Sequence, residues 1–313
     1  MEEHIRITEP ARNLRRMARA ALKEHWKTAL LAYVLYILLI SVPAMLLESI
    51  LGGGELAAVQ SMVELYRLII QGPLLLGISV FFLDLVRGAE HGPGMILGGF
   101  NNFFKAFGLF LLFTLFMLLW MLPVVVPLIV AASLLFGALF VGSSHGDAAL
   151  GGVASTFLSP GGALFVCVLV VLVLVIAVVF MLTYAQAFFL LADDPGIGTG
   201  ALRRSRGMMR GNKWKLFCLT ISFAGWYIVP FVVFCAVLSL SMPPYLSSAT
   251  ATAAVSPAVS RLLTLIASLL FAPVQVYVTA AGAIFYDILT GRRRLLPLDA
   301  GEAWHPIGGE SES

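Results

Sequence analysis

Long runs of apolar residues without a single charge recur along this chain, and one of them extends from Phe107 to Val141. A helix rises 1.5 Å per residue, so about 20 apolar residues are enough to cross a hydrocarbon core of about 30 Å. Of all residues, 60% are hydrophobic and only 12% are charged, whereas a soluble domain carries roughly 25% charged residues. The sequence therefore predicts an all-α membrane protein, a polytopic helix bundle.

Charged and Gly/Pro-rich breaks divide the apolar sequence into six predicted transmembrane helices. They cover residues 28–50, 62–86, 103–141, 161–192, 214–241 and 261–290. The third run is longer than one untilted crossing requires, so it forms either one long kinked helix or two spans. Pro123 and Pro127 offer a position for a kink.

The distribution of lysine and arginine favours one long third helix, because cytoplasmic loops are enriched in these residues. With six spans and both termini in the cytoplasm, all of the 20 basic residues except Arg67 and Arg261 lie on the cytoplasmic side. A split of the third run would reverse the orientation of everything that follows it. We therefore predict six spans.

Two basic segments resemble each other: LRRMARAALKEHWK at Leu14 to Lys27 and LRRSRGMMRGNKWK at Leu202 to Lys215. GFNNFFKAFGLF occupies the corresponding place before the third span, and FFLD, FFLLADD and IFYD end the three predicted hairpins. This pattern predicts three units, each an interfacial cytoplasmic helix followed by a two-helix hairpin. The identities are few, so chance similarity among apolar helices is the alternative. The predicted units are residues 10–88, 94–194 and 196–291, within a single transmembrane domain of residues 1–294 that precedes a flexible cytoplasmic tail of residues 295–313.

Both basic segments have an amphipathic pattern at 100° per residue. Such helices lie in the headgroup plane, where cations attract anionic lipids. The candidate lipid- or partner-binding residues are Arg12, Arg15, Arg16, Arg19, Lys23, Arg203, Arg206 and Arg210. Simple anchoring is the first interpretation, and recognition of a specific lipid or of nucleic acid has the same composition. We expect membrane lipids with anionic headgroups as partners, allow an unidentified membrane-protein partner, and expect no nucleic acid.

Polar residues inside the predicted spans are few. Glu64 precedes Arg67 by one helical turn, which predicts a local ion pair. The deepest polar groups are Gln71, Gln186 and Gln275, one in the second helix of each unit. Hydrogen bonds between helices explain these glutamines, and a polar transport path is the alternative.

The stretch FFLLADDPGIGTGALRRSRG, from Phe188 to Gly207, brings two aspartates close to several arginines. An aspartate followed by Pro195 is a helix-start signal, because aspartate caps free amides and proline is tolerated in the first turn. As a catalytic Asp/Arg cluster it has no supporting partners in the sequence. No catalytic triad, zinc signature or phosphate-binding loop is recognised, so we predict no catalytic residue, metal or cofactor and no enzyme.

The chain is similar to the bacterial integral membrane proteins grouped as "domain of unknown function 975". The resemblance is strongest in LADDPGIGTGALRRSRGMMRGNKWKLF and ISFAGW, and GPLLLGISVFFLDLVRG, FNNFFKAFGLFLL and ARNLRRMARAALKEHWKTAL support it. It implies a multi-pass protein of the bacterial cytoplasmic membrane and no particular activity. The chain departs from the family pattern in the glycine-rich GIGTGA and in two small-residue loops, at 142–162 and 243–260.

Two functions are consistent with these observations. The first is a non-catalytic membrane protein that organises lipids or partner proteins through its basic cytoplasmic interfacial helices. The second is a small-molecule or lipid transporter with a path between the helical hairpins, for which broken helices with polar residues at mid-membrane are expected.

Overall fold

The computed structural model describes residues 7, 10–51, 57–89, 92–140, 159–241 and 257–292. Within these ranges every regular element is helical. The helices are α1 (Ala11–Leu22), α2 (Trp26–Ile50), α3 (Ala57–Arg87), α4 (Phe103–Phe140), α5 (Pro160–Tyr184), α6 (Ala187–Asp193), α7 (Gly200–Met208), α8 (Lys213–Ile221), α9 (Ala224–Ser241) and α10 (Pro257–Leu289), with 3-10 helices at Pro93–Asn102 and Pro195–Ile197.

Five helices, or six if a bent pair is counted as one, are long and apolar enough to cross a membrane. The bent pair is α8 with α9, whose axes differ by 42° at a short break. The third apolar run forms one helix, α4, with Pro123 and Pro127 inside it. The predicted all-helical class is confirmed. The six predicted spans and their arrangement in three hairpins stay predictions, and the predicted span of residues 161–192 is divided into α5 and α6.

The chain divides into two compact units. The first contains the chain up to Leu111 and again from Ala185, and the second contains Leu112–Tyr184. The predicted three repeat units and the predicted single domain of residues 1–294 stay predictions. The predicted tail of residues 295–313 and most of the two small-residue loops lie outside the described residues.

In the first unit, the carboxyl-terminal half of α3 is packed backbone against backbone. The 3-10 helix Pro93–Asn102 lies against α3 so closely that a Cβ atom on Gly99 would be 2.1 Å from the carbonyl oxygen of Pro73. A Cβ on Gly77 would be 1.9 Å from the carbonyl oxygen of Ile96. Both distances are far below van der Waals contact, so only glycine permits this packing. The result is a core in which Phe81 and Phe82 have no solvent exposure.

The helices α3 and α10 end in the same way. At the end of α3 the amide of Ala89 donates to the carbonyl of Asp84, and at the end of α10 the amide of Arg292 donates to the carbonyl of Asp287, both at 3.0 Å. In each case a glycine with positive φ follows the helix, Gly88 at 74° and Gly291 at 72°. This is a common helix ending, because glycine adopts the left-handed conformation without steric cost.

The second unit has an aromatic cluster and an apolar surface. The ring of Phe180 contacts Phe113, Trp120 and Tyr184, with centroid distances of 5.2, 5.9 and 4.7 Å. Outside this cluster the unit exposes many large aliphatic side chains, among them Leu118 and Val171, each at 58%. An apolar surface of this kind is favourable in a hydrocarbon solvent and unfavourable in water.

Candidate functional site

Charged side chains from three helix ends meet in one ion network. Arg87, at the end of α3, lies between two carboxylates: its Nη1 is 3.0 Å from Oδ1 of Asp193 and its Nη2 is 2.8 Å from Oδ1 of Asp287. Asp193 ends α6, and Asp287 lies in the last turn of α10. The planar guanidinium has several donors in a fixed geometry, so one arginine can bind two carboxylates at once. Arg87 therefore connects three helices.

Asp193 receives two further hydrogen bonds. Its Oδ1 also accepts from Nη1 of Arg292 at 2.5 Å, and its Oδ2 accepts from the hydroxyl of Tyr286 at 3.0 Å. Asp287 and Tyr286 are each 1% exposed. Two arginines balance two aspartates, which meets the requirement that buried charges be paired and hydrogen-bonded. The network therefore holds the ends of these helices together by interhelical ion pairs and hydrogen bonds.

This network is absent from the sequence-based predictions. In the sequence the aspartates near Pro195 lack supporting partners, whereas the partners of Asp193 come from Arg87 and Arg292, far away in the chain. A signal was present, because the aligned hairpin ends FFLD, FFLLADD and IFYD place acidic residues at corresponding positions. Arg87 lies three residues after the first of these motifs, and it pairs with the aspartates Asp193 and Asp287 of the other two.

The neighbouring aspartate performs the predicted capping role. Oδ1 of Asp194 accepts a hydrogen bond of 2.9 Å from the amide of Gly196, and Pro195 begins the short 3-10 helix. Gly198 follows with φ of 51°, so a left-handed residue separates this turn from α7. The glycine-rich departure from the family pattern is thus a turn that glycine makes possible.

The basic residues of α1, except Arg15, lie on its exposed side. Leu14, Ala18 and Leu22, spaced by four residues, are buried against the protein, mainly by α10. The four exposed candidates are Arg12, Arg16, Arg19 and Lys23. The apolar side of α1 is therefore covered by protein, and its basic side is available to a partner.

Arg15 is placed differently from the other candidates of α1. Its Nη1 donates to the carbonyl of Ser222 at 3.0 Å, at the break between α8 and α9, and its own carbonyl accepts from the hydroxyl of Tyr277 at 2.9 Å. The ring of Tyr277 contacts Phe223 with a centroid distance of 4.8 Å. Arg15 thus donates to a backbone carbonyl at the break between α8 and α9, where the regular helical hydrogen bonds are interrupted.

The segment before α1 is held by the second basic segment. The amide of Ile7 donates to Oδ1 of Asn212 at 3.0 Å, and Nδ2 of Asn212 donates to the carbonyl of Met208 at 3.2 Å. Asn212 is 1% exposed. The Gly-Asn-Lys-Trp motif therefore has a structural role, because its asparagine binds the backbone near the chain start.

The helix α7 likewise separates exposed cations from buried residues. Arg203 and Arg206 are exposed on α7 and Arg210 is exposed just after it, whereas Leu202 and Ser205 are buried. All three predicted candidates are thus accessible.

The three glutamines differ in their surroundings. Gln71 in α3 and Gln275 in α10 are half-buried, and Gln186 is 1% exposed. Gln186 lies at the break between α5 and α6, and its Oε1 has no hydrogen-bond partner in the part of the chain that the structure describes. A buried polar atom without a hydrogen bond costs free energy. Of the three glutamines, Gln186 therefore gives the strongest indication of a bound ligand or water.

The two cations outside the predicted cytoplasmic pattern both have carboxylate partners. Nη1 of Arg67 is 3.0 Å from Oε1 of Glu64, which confirms the predicted local pair. Nε of Arg261 contacts Oε2 of Glu48, which connects α10 to α2. Each exception to the positive-inside pattern is neutralised by its partner. Among the described residues, His, Cys, Asp and Glu do not gather into a group of three or more that would hold a metal ion.

The helices define an all-helical protein whose several long apolar segments suggest a multi-pass membrane protein. The chain matches the family described as "Protein of unknown function (DUF975)" over residues 8–293. It belongs to that family, as the sequence resemblance indicated. Comparison with curated proteins and with solved structures found no match.

Proposed function

We propose that this protein is a non-catalytic integral membrane protein that organises anionic lipids at the cytoplasmic surface through the exposed basic sides of α1 and α7. The observation that carries the proposal is the orientation of these helices. Their apolar residues, such as Leu14 and Leu202, are buried by the protein itself, while all of their arginines except Arg15 are exposed. The cations are therefore held outward by packing.

The proposal includes a topology. Six spans form three hairpins, each preceded by a cytoplasmic interfacial helix, and both termini lie in the cytoplasm of a bacterial cell. The pairing of Arg67 and Arg261 with carboxylates supports this orientation, because it leaves the two outer cations neutralised. Binding of an unidentified membrane-protein partner to the same basic surface is the closest variant of the proposal.

The test compares lipid binding by two variants of α7. Each cation close to an anionic surface contributes about 1 kcal/mol, so replacement of Arg203, Arg206 and Arg210 by alanine removes about 3 kcal/mol, roughly a 100-fold loss in affinity. Native mass spectrometry of the protein in detergent, titrated with phosphatidylglycerol or phosphatidylcholine, measures this loss. We expect weaker phosphatidylglycerol binding and unchanged phosphatidylcholine binding.

The matched control replaces the same three arginines by lysine, which keeps the charge. Retained binding in the lysine variant supports an electrostatic surface, and loss in both variants indicates recognition of the planar guanidinium groups. If the alanine variant binds phosphatidylglycerol as tightly as the unaltered protein, the proposal is wrong.

A second candidate function, transport of a small molecule or lipid between the hairpins, is favoured by Gln186. Its buried Oε1 has no partner among the described residues and lies at a helix break. Many transporters form their substrate sites at such breaks in membrane helices. Replacement of Gln71, Gln186 and Gln275 together by leucine separates the two functions. An unchanged cellular phenotype with normal folding counts against transport, and a lost phenotype with intact phosphatidylglycerol binding counts in its favour.

A further inference from the structure

Three aromatic–lysine pairs occur at the beginnings of helices. They are Trp26 with Lys27 in α2, Phe104 with Lys105 in α4, and Trp214 with Lys215 in α8. Each pair lies at the corresponding place in one of the three predicted repeat units, just before an apolar span.

The aromatic side chains of these pairs are exposed, Phe104 and Trp214 for the most part and Trp26 for about a third. Phe104 is 85% exposed, Trp214 is 68% exposed and Trp26 is 37% exposed. Residues two or three positions further along each helix, Ala106, Leu216 and Ala29, are buried. The helix starts are therefore packed against the protein on one side and present an aromatic ring on the other.

Exposure of such a ring to water is unfavourable, since complete burial of a large apolar side chain is worth about 1.5–3 kcal/mol. Neighbouring rings do not remove this exposure: Phe103 stacks on Phe107 at 5.9 Å, and Phe104 stays outward. Aromatic rings of this kind are typical of the boundary between hydrocarbon and headgroups, where one side of the ring is apolar and the other is hydrated.

The lysines decide the kind of partner. Lys27 and Lys105 are exposed and Lys215 is partly exposed. Lysine is depleted in protein–protein interfaces, whereas its long stem and terminal ammonium group reach from apolar surface to lipid phosphates. Both members of each pair therefore fit the edge of an anionic lipid leaflet.

We propose that these three aromatic–lysine pairs form a lipid-docking surface that fixes the level of the cytoplasmic leaflet on the protein. The rings lie at the glycerol and carbonyl level of the lipids, and the ammonium groups bind lipid phosphates. The proposal rests on the proposed membrane topology and adds a specific recognition element to it. The basic helix α1 precedes the first pair and α7 precedes the third, so both lie on the headgroup side of this level.

The test uses the depth of single tryptophans in bilayers. Variants keep one of Trp26, Trp214 or Trp226, and a fourth carries Phe104→Trp, with the other tryptophans replaced by phenylalanine. The protein is reconstituted in vesicles of phosphatidylglycerol and phosphatidylcholine that contain quenchers at shallow or deep acyl positions. Trp226 is the matched control, because it lies beyond Trp214 by about 18 Å or less of helix length, measured along the bent pair α8 and α9.

We expect shallow quenchers to act more strongly than deep ones, about twofold or more, on Trp26, Trp214 and the tryptophan at position 104. The reverse order is expected for Trp226. Equal quenching at all depths, preferred deep quenching, or no quenching of the three interfacial rings would overturn the proposal.

Two further measurements keep the result interpretable. If a single-tryptophan variant does not fold, the contribution of each ring is obtained from the otherwise unaltered protein by comparison with Trp26→Phe or Trp214→Phe. Shallow rings together with unchanged lipid binding after replacement of Arg203, Arg206 and Arg210 would refute the proposed function and support the docking surface. Deep rings together with lost lipid binding would support the proposed function and refute the docking surface.

Discussion

The two ends of α3 and α10 use ion pairs in different ways. At their carboxyl-terminal ends, Arg87 joins Asp193 and Asp287 in a network that connects three helices. In their amino-terminal parts, Arg261 pairs with Glu48 of one other helix, and Arg67 pairs with Glu64 within its own helix.

The network differs from the Arg67 pair in burial, and it differs from the Arg261 pair in the number of carboxylates that one arginine binds. The carboxyl-terminal half of α3 is covered on several sides and contacts a 3-10 helix at glycines, whereas Leu65 in its amino-terminal half is 56% exposed. Buried charge must be matched by several donors and acceptors at once, whereas an exposed pair is worth little because solvent screens it. We therefore expect substitutions to have effects that decrease from the network to the exposed pair.

The largest effect is expected for Arg87→Ala. This change leaves Asp287, which is 1% exposed, without its cation, and breaking a buried pair costs about 3–5 kcal/mol. The thermal midpoint of the purified protein in detergent measures the loss. Arg87→Lys is the control, and it should restore only part of the stability because an ammonium group cannot bind two carboxylates in the same fixed geometry.

The second effect tests the close packing beside the network. Gly99→Ala places a methyl group 2.1 Å from the carbonyl oxygen of Pro73, and overpacking of this kind costs about 1–3 kcal/mol or more. Gly98→Ala is the matched control in the same turn, because its Cβ meets nothing within 4 Å. Thermal unfolding in detergent should separate the two variants clearly, and equal midpoints would refute the backbone contact.

The third effect tests the single bridge between helices. Arg261→Ala leaves the carboxylate of Glu48, which is 6% exposed, without its partner. A loss of up to about 3 kcal/mol is expected, smaller than that of Arg87→Ala because Arg261 has one carboxylate partner and Arg87 has two. The double variant Arg261→Ala with Glu48→Gln should recover part of the loss in the same assay. A double variant less stable than Arg261→Ala alone would show that the pair is not what stabilises this contact.

The smallest effect is expected for Arg67→Ala. The side chains of Arg67 and Glu64 are 42% and 66% exposed, and exposed pairs three or four residues apart contribute less than about 0.5 kcal/mol. The thermal midpoint should therefore change by no more than the error of the measurement. A loss comparable with that of Arg87→Ala would remove the distinction between the two ends.

Much of the fold was predictable because it depends on the length of apolar segments and on the distribution of charged residues along the chain. The helix near residues 28–50 and the start of α5 follow from apolar length, and the single α4 follows from the distribution of basic residues. The break between α5 and α6 was not predicted, nor was the break between α8 and α9. The carbonyl of Ser222 at that break accepts a hydrogen bond from Arg15. A local sequence pattern cannot indicate a partner that is so far away in the sequence.

The candidate site was predictable only in part, for the same reason. The exposed side of α1 follows from the spacing of its arginines, and Asp194 caps the turn before α7 as its sequence indicates. The hydrogen bond from Arg15 to Ser222 and the ion pair of Arg87 with Asp193 depend on how helices that are distant in the sequence pack. Spacing along one helix does not contain that information, whereas the alignment of hairpin ends contains part of it.

The central claim is that Arg87 joins the ends of three helices, and double-mutant cycles test it most directly. The free energy of unfolding in mixed micelles is measured for Arg87→Ala, for Asp287→Asn and Asp193→Asn, and for each pair of changes. Groups in one network couple by about 0.5–3 kcal/mol, so coupling is expected for Arg87 with either aspartate and none for Arg67 with Asp287. Additive effects within about 0.5 kcal/mol in both Arg87 cycles would contradict the claim.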